Sequence, residues 1–214
     1  MVTNAAGPAA CPLPLKKGTQ WTYEGKVEWT MENSAKVLST NVHWVTEVVD
    51  VVQQGTVQAS VVRGLPDELA CYEPNRMPGF AVLVNLSNRL YRVPANSEQE
   101  AKKLAHRLAN APSKPLLSSE EWLVFPLAKG KRWGGDNLRE DNNCCWYVQG
   151  WQAKHLRVEG YPAKQPADVW TLTYRTNPDH QIVDIVAGLG ITRYVYAHHG
   201  TVASADVRLV SFRL

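Results

Sequence analysis

The alternation of apolar and polar residues along QWTYEGKVEWTM, residues 20–31, limits the possible folds of this chain more than any other feature. Apart from Gly25, the odd-numbered positions carry Trp, Tyr, Val, Trp and Met, whereas every even-numbered position is polar. Side chains of a β-strand point alternately to its two faces. A period of two with aromatic residues on one face therefore predicts a half-buried strand.

Strand-like composition recurs along the chain and predicts about ten strands. The segment 80–93 has the pattern of a hairpin that turns at Ser87-Asn88, and 181–201 that of two strands around a glycine-centred turn. In the last segment the apolar side switches from Val207 and Leu209 to Val210 and Phe212, which predicts a β-bulge. The strand-like segments are 20–31, 39–52, 56–64, 80–93, 144–151, 154–160, 168–176, 181–201 and 205–214.

One segment has the pattern of a helix. Residues 96–111, NSEQEAKKLAHRLANA, begin with Ser97 and Glu100 at the spacing of a capping box, and Pro112 follows the last residue. Apolar residues on one helical face are Ala101, Leu104, Ala105 and Leu108. Residues 65–79 contain three prolines and predict a loop with one helical turn.

Together these patterns predict a mainly β protein, a β-rich α+β fold with a single twisted antiparallel sheet that forms an open or closed barrel. The helix at about 96–111 would cover part of one face of the sheet. Neither the part of the chain before this helix nor the part after it has enough strands to close a sheet by itself. We therefore expect residues 11–214 to form one domain that follows a flexible N-terminal segment at 1–10.

One short phrase occurs twice, as PLKKGTQW ending at Trp21 and as PLAKGKRW ending at Trp133. Proline favours an extended approach, and glycine adopts turn conformations that other residues resist. The phrase therefore predicts the start of two related β-segments. We expect Gly18 and Gly130 to occupy equivalent turns, and Trp21 and Trp133 to point into the same core.

The stretch PLPLKKGTQWTYEG resembles the opening of a broad group of exported bacterial proteins and lipoproteins, mostly of unknown function, whose mature chains begin with F-P-L-x-x-G-x-x-W-x-Y. That group commonly has a second P-L-x-x-G-x-x-W past mid-chain, then A-P-G-x-G and a closing L-V-x-[FY]. The matching stretches here are FPLAKGKRW, VAGLGITRYVY and VRLVSF. The chain departs from the group at Ala187, where proline is usual, and in its inserted helix.

The resemblance implies a periplasmic or secreted protein, with an open barrel similar to lipoprotein-carrier folds and no catalytic residues to carry over. The first ten residues lack the apolar region of a signal peptide, and no apolar run is long enough to span a membrane. A net charge of +3 with short basic clusters also argues against nucleic-acid binding. The oligomeric state is left open.

The strongest cluster of chemically active residues is His198-His199, which Asp179-His180 precedes and Asp206 follows. Histidine with a carboxylate could bind a metal or act as acid and base. Adjacent histidines in a strand point to opposite faces, however, and HHGT is also typical of a turn. A structural role is favoured over a catalytic one, and we expect neither a metal nor a cofactor.

Eight Trp and eight Tyr against three Phe are the other functional indication. These residues would suit a filled core or the wall of a cavity for an apolar, lipid-like or carbohydrate ligand. We therefore expect an exported, non-catalytic protein that binds an apolar small molecule or a cell-envelope partner. A hydrolase that uses His198 or His199, and a structural or assembly module, are the alternatives. The candidate ligand-binding residues are Trp21, Tyr23, Trp29, Trp44, Trp146, Trp170 and Tyr174.

The four cysteines permit two interpretations. An even number of cysteines in a chain of exported type permits disulfides, with Cys11 or Cys71 joined to Cys144 or Cys145. Alternatively, some of them are small buried hydrophobic residues. The chain has no C-x-x-C motif and no Cys/His set at zinc-finger spacing, so a structural zinc site is not expected.

Overall fold

A computed structural model describes residues 10–30, 36–111, 121–135, 142–162, 165–198 and 204–214. Twelve strands form one antiparallel sheet that nearly closes into a barrel, which confirms the predicted mainly β class. The strands are β1 (Gln20–Thr30), β2 (Val37–Gln54), β3 (Val57–Arg63), β4 (Phe80–Leu86), β5 (Arg89–Ala95), β6 (Glu121–Val124), β7 (Arg132–Trp133), β8 (Trp146–Lys154), β9 (Ala167–Arg175), β10 (Asp179–Val186), β11 (Gly190–His198) and β12 (Ser204–Arg213).

The sheet consists of two meanders, the first formed by β1 to β6 and the second by β7 to β12, which join where β1 pairs with β12. Its order is β6-β5-β4-β3-β2-β1-β12-β11-β10-β9-β8-β7, so that β1 pairs with β12 and the chain neighbours β6 and β7 form the two edges. These edges approach each other, because a Cβ added to Gly134, just after β7, would lie 3.7 Å from the carbonyl oxygen of Glu121. The seam between β6 and β7 is therefore the side on which the barrel is nearly closed.

Helix α1 (Glu98–Asn110) packs on the outer face of the first meander, as the apolar stripe predicts. Ala101, Ala105 and Ala109 of α1 are buried against outward-facing valines of β3 and β4. The next residues along those strands, such as Leu83, belong to the core inside the barrel. Because β3 and β4 are buried on both faces, they are apolar along most of their length.

The predicted helical turn is a 3-10 helix over Pro66–Cys71. It contacts β11 and β12, and so crosses the barrel interior from the end of β3 to the other side of the sheet. Leu65 and Leu69 are buried in the interior core. The helix therefore carries Asp67 into the barrel, whereas Cys71 at its end is exposed.

The two copies of the repeated phrase form the same turn, as predicted. Gly18 and Gly130 have φ angles of +88° and +84°, in the region that favours glycine. The Gly18 N–H donates to the carbonyl of Val48 in β2 at 2.9 Å, and the Gly130 N–H donates to the carbonyl of Val148 in β8 at 2.9 Å. A register shift follows immediately after Val48 and after Val148, so that the anchoring strands share a bulge as well.

The tryptophans that end the two phrases are both buried in the core inside the barrel, which confirms the prediction for Trp21 and Trp133. Their indole N–H groups differ. Trp21 Nε1 donates to the carbonyl of Leu189 at 2.6 Å. Trp133 Nε1 is buried and has no hydrogen-bond partner among the described residues.

The residues just before each phrase contact the opposite meander. The carbonyl of Pro12 accepts a hydrogen bond at 2.9 Å from Gly188, in the β10–β11 turn. The Phe125 N–H donates at 2.9 Å to the carbonyl of Asn88, in the β4–β5 turn. These two turns are the ones that the sequence predicts at the hairpins.

The predicted bulge in the last strand is confirmed, whereas the predicted strand at 154–160 is wrong. Thr22 pairs with Ser211 and Tyr23 pairs with Leu209, which leaves Val210 as the extra residue of β12. Strand β8 ends at Lys154, and Glu159 forms a single parallel bridge with Ser211. The Glu159 N–H donates to the Val210 carbonyl at 2.9 Å, so this segment pairs with the bulge instead of extending the meander.

No disulfide joins Cys11 or Cys71 to Cys144 or Cys145 in this structure, so the first of the two interpretations is not supported. Cys145 is fully buried, as the alternative interpretation expects, whereas Cys71 and Cys144 are exposed. Burial raises the pKa of the Cys11 thiol to about 11. Among the described residues, no helix has both the length and the apolar character needed to cross a membrane.

Candidate functional site

A row of interior side chains crosses the second meander near one end of the barrel. Trp146 of β8 pairs with Tyr174 of β9, Tyr174 pairs with Gln181 of β10, and Gln181 pairs with Tyr196 of β11. Directly opposite residues in an antiparallel sheet place their side chains on the same face. Two of the predicted ligand-binding residues, Trp146 and Tyr174, are therefore neighbours in this row.

This row borders a cavity of about 260 Å³ beside the seam. Its aromatic wall includes Trp122 of β6 together with Trp146 and Tyr174. Its polar wall includes Asp67, Arg92 and Gln181, and Glu121 lines the cavity as well. The cavity thus combines apolar ring surfaces with a small number of polar groups, which is the usual composition of a small-molecule site.

Ring contacts hold the aromatic wall in place. Trp146 lies between Trp133, whose ring centroid is 6.3 Å away at an interplanar angle of 17°, and Tyr174, whose centroid is 5.4 Å away. Trp133 is buried, whereas Trp146 and Tyr174 are only partly buried. The second copy of the repeated phrase therefore supplies the inner support for the ring that faces the cavity.

An interior ion pair forms the polar wall. Arg92 pairs with the buried Leu83 across β4 and β5, so its side chain points into the barrel, and its Nε lies 3.1 Å from Asp67 Oδ2. Asp67 Oδ1 is buried and has no hydrogen-bond partner among the described residues. Burial raises the pKa of the Asp67 carboxyl, against the opposing effect of Arg92.

Sequence reasoning missed both members of this pair. Arg92 has the same parity as the buried Leu90 in RLYRV, and a charged residue on the core side of a strand is an indication of function. Asp67 offers no comparable indication, because the path of residues 65–79 across the barrel interior depends on the assembled sheet.

The other predicted aromatic residues lie mostly in the core. Trp21, Tyr23, Trp44 and Trp170 are buried, whereas Trp29 is partly buried and tilts against Tyr72 at a centroid distance of 5.1 Å. The polar groups of three of them donate to backbone carbonyls: Trp21 to Leu189, Tyr23 to Ile191 at 3.0 Å and Trp44 to Gly64 at 2.8 Å. Buried rings with satisfied polar groups are typical of core packing.

Two members of the predicted histidine cluster meet at the same end of the barrel. Asp179 and His198 are cross-strand partners, and His198 Nδ1 lies 2.7 Å from Asp179 Oδ1. The Tyr196 hydroxyl donates to the same oxygen at 2.6 Å, and the Thr176 hydroxyl donates to Asp179 Oδ2 at 3.2 Å. Hydrogen bonds from Tyr196 and His198 lower the pKa of the Asp179 carboxyl. Burial, together with Asp179 itself, raises the pKa of Tyr196.

The remaining members do not join them. Asp206 accepts two hydrogen bonds from Arg193, at 3.0 and 2.7 Å, and this guanidinium lowers the pKa of the Asp206 carboxyl. His180 follows Asp179 in β10 and therefore points to the other face of the sheet. His199 lies outside the described residues. Within the described part of the chain, no three His, Cys, Asp or Glu residues are placed to hold a metal ion.

Comparison with known proteins gives only distant likenesses. No family model and no curated protein matches the sequence. A candidate exported protein with a YmcC-like fold from Bacteroides fragilis NCTC 9343 is 10% identical, with a TM-score of 0.45 over 96% of this chain and 100% of that chain. A candidate lipoprotein from Parabacteroides distasonis ATCC 8503 is 11% identical, with a TM-score of 0.46 over 96% of this chain and 100% of that chain.

Proposed function

We propose that this protein is an exported, non-catalytic binding protein whose barrel cavity takes the apolar face of a small ligand. The observation that carries the proposal is the aromatic wall of Trp122, Trp146 and Tyr174, which borders an open cavity of about 260 Å³. Export to the periplasm or beyond is supported by the resemblance of the two phrases to exported bacterial proteins.

The contrast between the two sets of aromatic residues supports binding over core filling at this wall. Trp21 and Tyr23 are sealed in the core with their polar groups bonded to the backbone, whereas Trp146 and Tyr174 stay partly exposed. Rigid aromatic rings give a ligand a large contact area at a small cost in conformational entropy. A concave wall of this kind is what an apolar ligand requires.

A hydrolase is the alternative that one observation favours, namely the hydrogen bond between Asp179 and His198. A carboxylate that orients a histidine supplies two of the three members of a catalytic triad. Among the described residues, however, the hydrogen bond to Asp179 is the only one recorded for the His198 side chain, and no serine or cysteine is bonded to its ring. Binding is therefore the function that this geometry supports better.

An assembly module that pairs through its sheet edges is supported less well. Edge strands β6 and β7 are four and two residues long, and short edge strands discourage pairing with another chain. The edges also approach each other at the seam, where Gly134 lies near the Glu121 carbonyl. Little edge is left for a partner.

Titration with N-phenyl-1-naphthylamine, a neutral apolar fluorophore, tests the proposal. We expect one probe to bind per protein with enhanced fluorescence, and Trp146→Ala to weaken binding at least tenfold, about 1.4 kcal/mol. Trp151→Ala is the matched control, because Trp151 is a partly buried tryptophan of the same strand that does not line the cavity. No binding to the wild type, or an equal loss in both variants, would contradict the proposal.

A further inference from the structure

The polar wall of the cavity has no role in binding a purely apolar ligand. Such a ligand would cover what remains exposed of the Asp67 side chain, whose Oδ1 is already buried and has no hydrogen-bond partner among the described residues. A buried acceptor without a donor is unfavourable, and more so when it carries charge. The natural ligand should therefore bring a hydrogen-bond donor to this carboxyl group.

Charges around the cavity indicate a ligand without net charge. Asp67 is paired with Arg92, and Glu121, the other acidic residue of the lining, is paired with Arg89. Each carboxylate is therefore matched by one guanidinium. An ionic ligand would find no unmatched charge to replace its hydration, so the site favours a neutral molecule.

The size of the cavity limits the ligand further. Its volume of about 260 Å³ lies just under the range of about 300–1,000 Å³ that drug-sized ligands occupy. One ring fits such a space better than an extended acyl chain. The aromatic faces of Trp146 and Tyr174 would cover one side of that ring.

We propose that the cavity binds one neutral sugar ring, with a ring hydroxyl donating to the Asp67 carboxyl group and the apolar face of the sugar packed on Trp146 and Tyr174. This inference rests on the proposed binding function and supplies its ligand class. Gln181, which pairs with Tyr174 across the strands and lines the same cavity, offers a side-chain amide to further hydroxyls.

Saturation-transfer NMR and calorimetry with neutral methyl glycosides of glucose, galactose and mannose test this inference. Glucuronate, glucosamine and octanoate serve as anionic, cationic and acyl-chain competitors. We expect at least one neutral glycoside to bind, and Asp67→Asn to weaken it at least tenfold, because the charged acceptor is lost. Glu47→Gln is the matched control, since it breaks an arginine pair with Arg63 outside the cavity and should change binding less than twofold.

A second variant keeps the test decisive if Asp67→Asn impairs folding. Gln181→Leu leaves the ion pair intact and should also weaken the glycoside. Circular dichroism of each variant reports whether it is folded.

The possible outcomes separate the two proposals. If the naphthylamine binds but no neutral glycoside does, or if octanoate or a charged sugar is preferred, the sugar inference is wrong and the binding function stands. Glycoside binding that neither variant weakens would also overturn the inference. If neither class of ligand binds the wild type, both proposals fail.

Discussion

The carboxyl of Asp179 shows how neighbouring strands fix the charge of a single residue. Tyr196 and His198 of β11 both bond to its Oδ1, and Thr176 bonds to its Oδ2 from the turn before β10. These bonds favour the ionised carboxyl, so its folded-state pKa lies below the unfolded value of about 4. The stability that they contribute is fully present above pH 4 and is lost as the pH falls through the folded-state pKa.

Tyr196→Phe is expected to remove the largest of these effects. A hydrogen bond to a charged group contributes about 1.5–3 kcal/mol, so the variant should lose roughly this much unfolding free energy at pH 7. The difference from the wild type should shrink below about pH 4, where the carboxyl of Asp179 protonates in the variant. Urea denaturation of both proteins at a series of pH values from 3 to 7 measures this difference in unfolding free energy.

Tyr147→Phe provides the control for this prediction. Tyr147 follows Trp146 in β8, so its ring lies on the opposite face of the sheet, where it contacts Arg132. Its effect on stability should not vary with pH in the acidic range. A loss in Tyr196→Phe that is the same at pH 3 and pH 7 would contradict the account of Asp179.

Individual residues were predictable from sequence where the strand period alone decides their position. Trp21 and Tyr23 lie in the core because alternation fixes their face. The partnership of Asp179 with His198 could be anticipated only as proximity, since the register of β10 and β11 sets the contact. The approach of Asp67 to Arg92 depends on a loop that crosses the barrel, and no local pattern encodes such a crossing.

At the scale of elements, the repeated phrase is a structural unit: a glycine turn, its anchor on the next strand and a bulge beyond that anchor. Gly18 with Val48 and Gly130 with Val148 have the same hydrogen bond at the same distance of 2.9 Å. The unit sets where β1 and β7 begin. The sequence showed the turn, but not the bulged anchor strand, which has no common motif in the two copies.

Substitution of the two glycines should have parallel effects. Alanine at a positive φ costs about 1–2 kcal/mol, so Gly18→Ala and Gly130→Ala should each lower the unfolding free energy by about this amount. Asparagine tolerates this region better, and the corresponding Asn variants should lose less. Urea denaturation compares the four proteins. If one glycine accepts alanine without loss, the two turns are not equivalent.

The predicted boundaries of elements were wrong where strand pairing, and not local composition, determines where an element ends. Helix α1 was predictable because its cap and stripe are local, and Ser97 Oγ does accept a hydrogen bond from the Glu100 N–H at 3.2 Å. Strands β6 and β7 are too short for a periodic pattern. The segment at 154–160 has strand composition but pairs with a bulge through Glu159 alone.

At the scale of the whole molecule, each meander holds the segment that leads into the other meander. Pro12 is held by the β10–β11 turn, Phe125 is held by the β4–β5 turn, and the core inside the barrel draws on both meanders. Contacts of this kind have large separations along the chain. They favour cooperative folding of the sheet as one unit.

We therefore expect one unfolding transition. Helix α1 packs on strands of the first meander, whereas the tryptophans are divided between the two meanders: Trp21, Trp29, Trp44 and Trp122 lie in the first, and Trp133, Trp146, Trp151 and Trp170 lie in the second. Circular dichroism at 222 nm and tryptophan fluorescence should give the same urea midpoint. Leu104→Ala should lower both midpoints together, with a loss of about 2–5 kcal/mol in unfolding free energy. A fluorescence change in two steps, with the helix signal lost in only one of them, would show that the halves unfold separately.

The indole N–H groups of the two phrases differ in their hydrogen bonding, and this difference bears on how such a protein can change over evolution. Trp21 is tied to the Leu189 carbonyl, whereas Trp133 has no described hydrogen-bond partner and supports Trp146 at the cavity. Because no residue of the first copy lines the cavity, whereas Trp133 of the second copy supports Trp146, substitutions around the second copy act more directly on the cavity. A lineage could diversify its ligands at the second phrase and conserve the first.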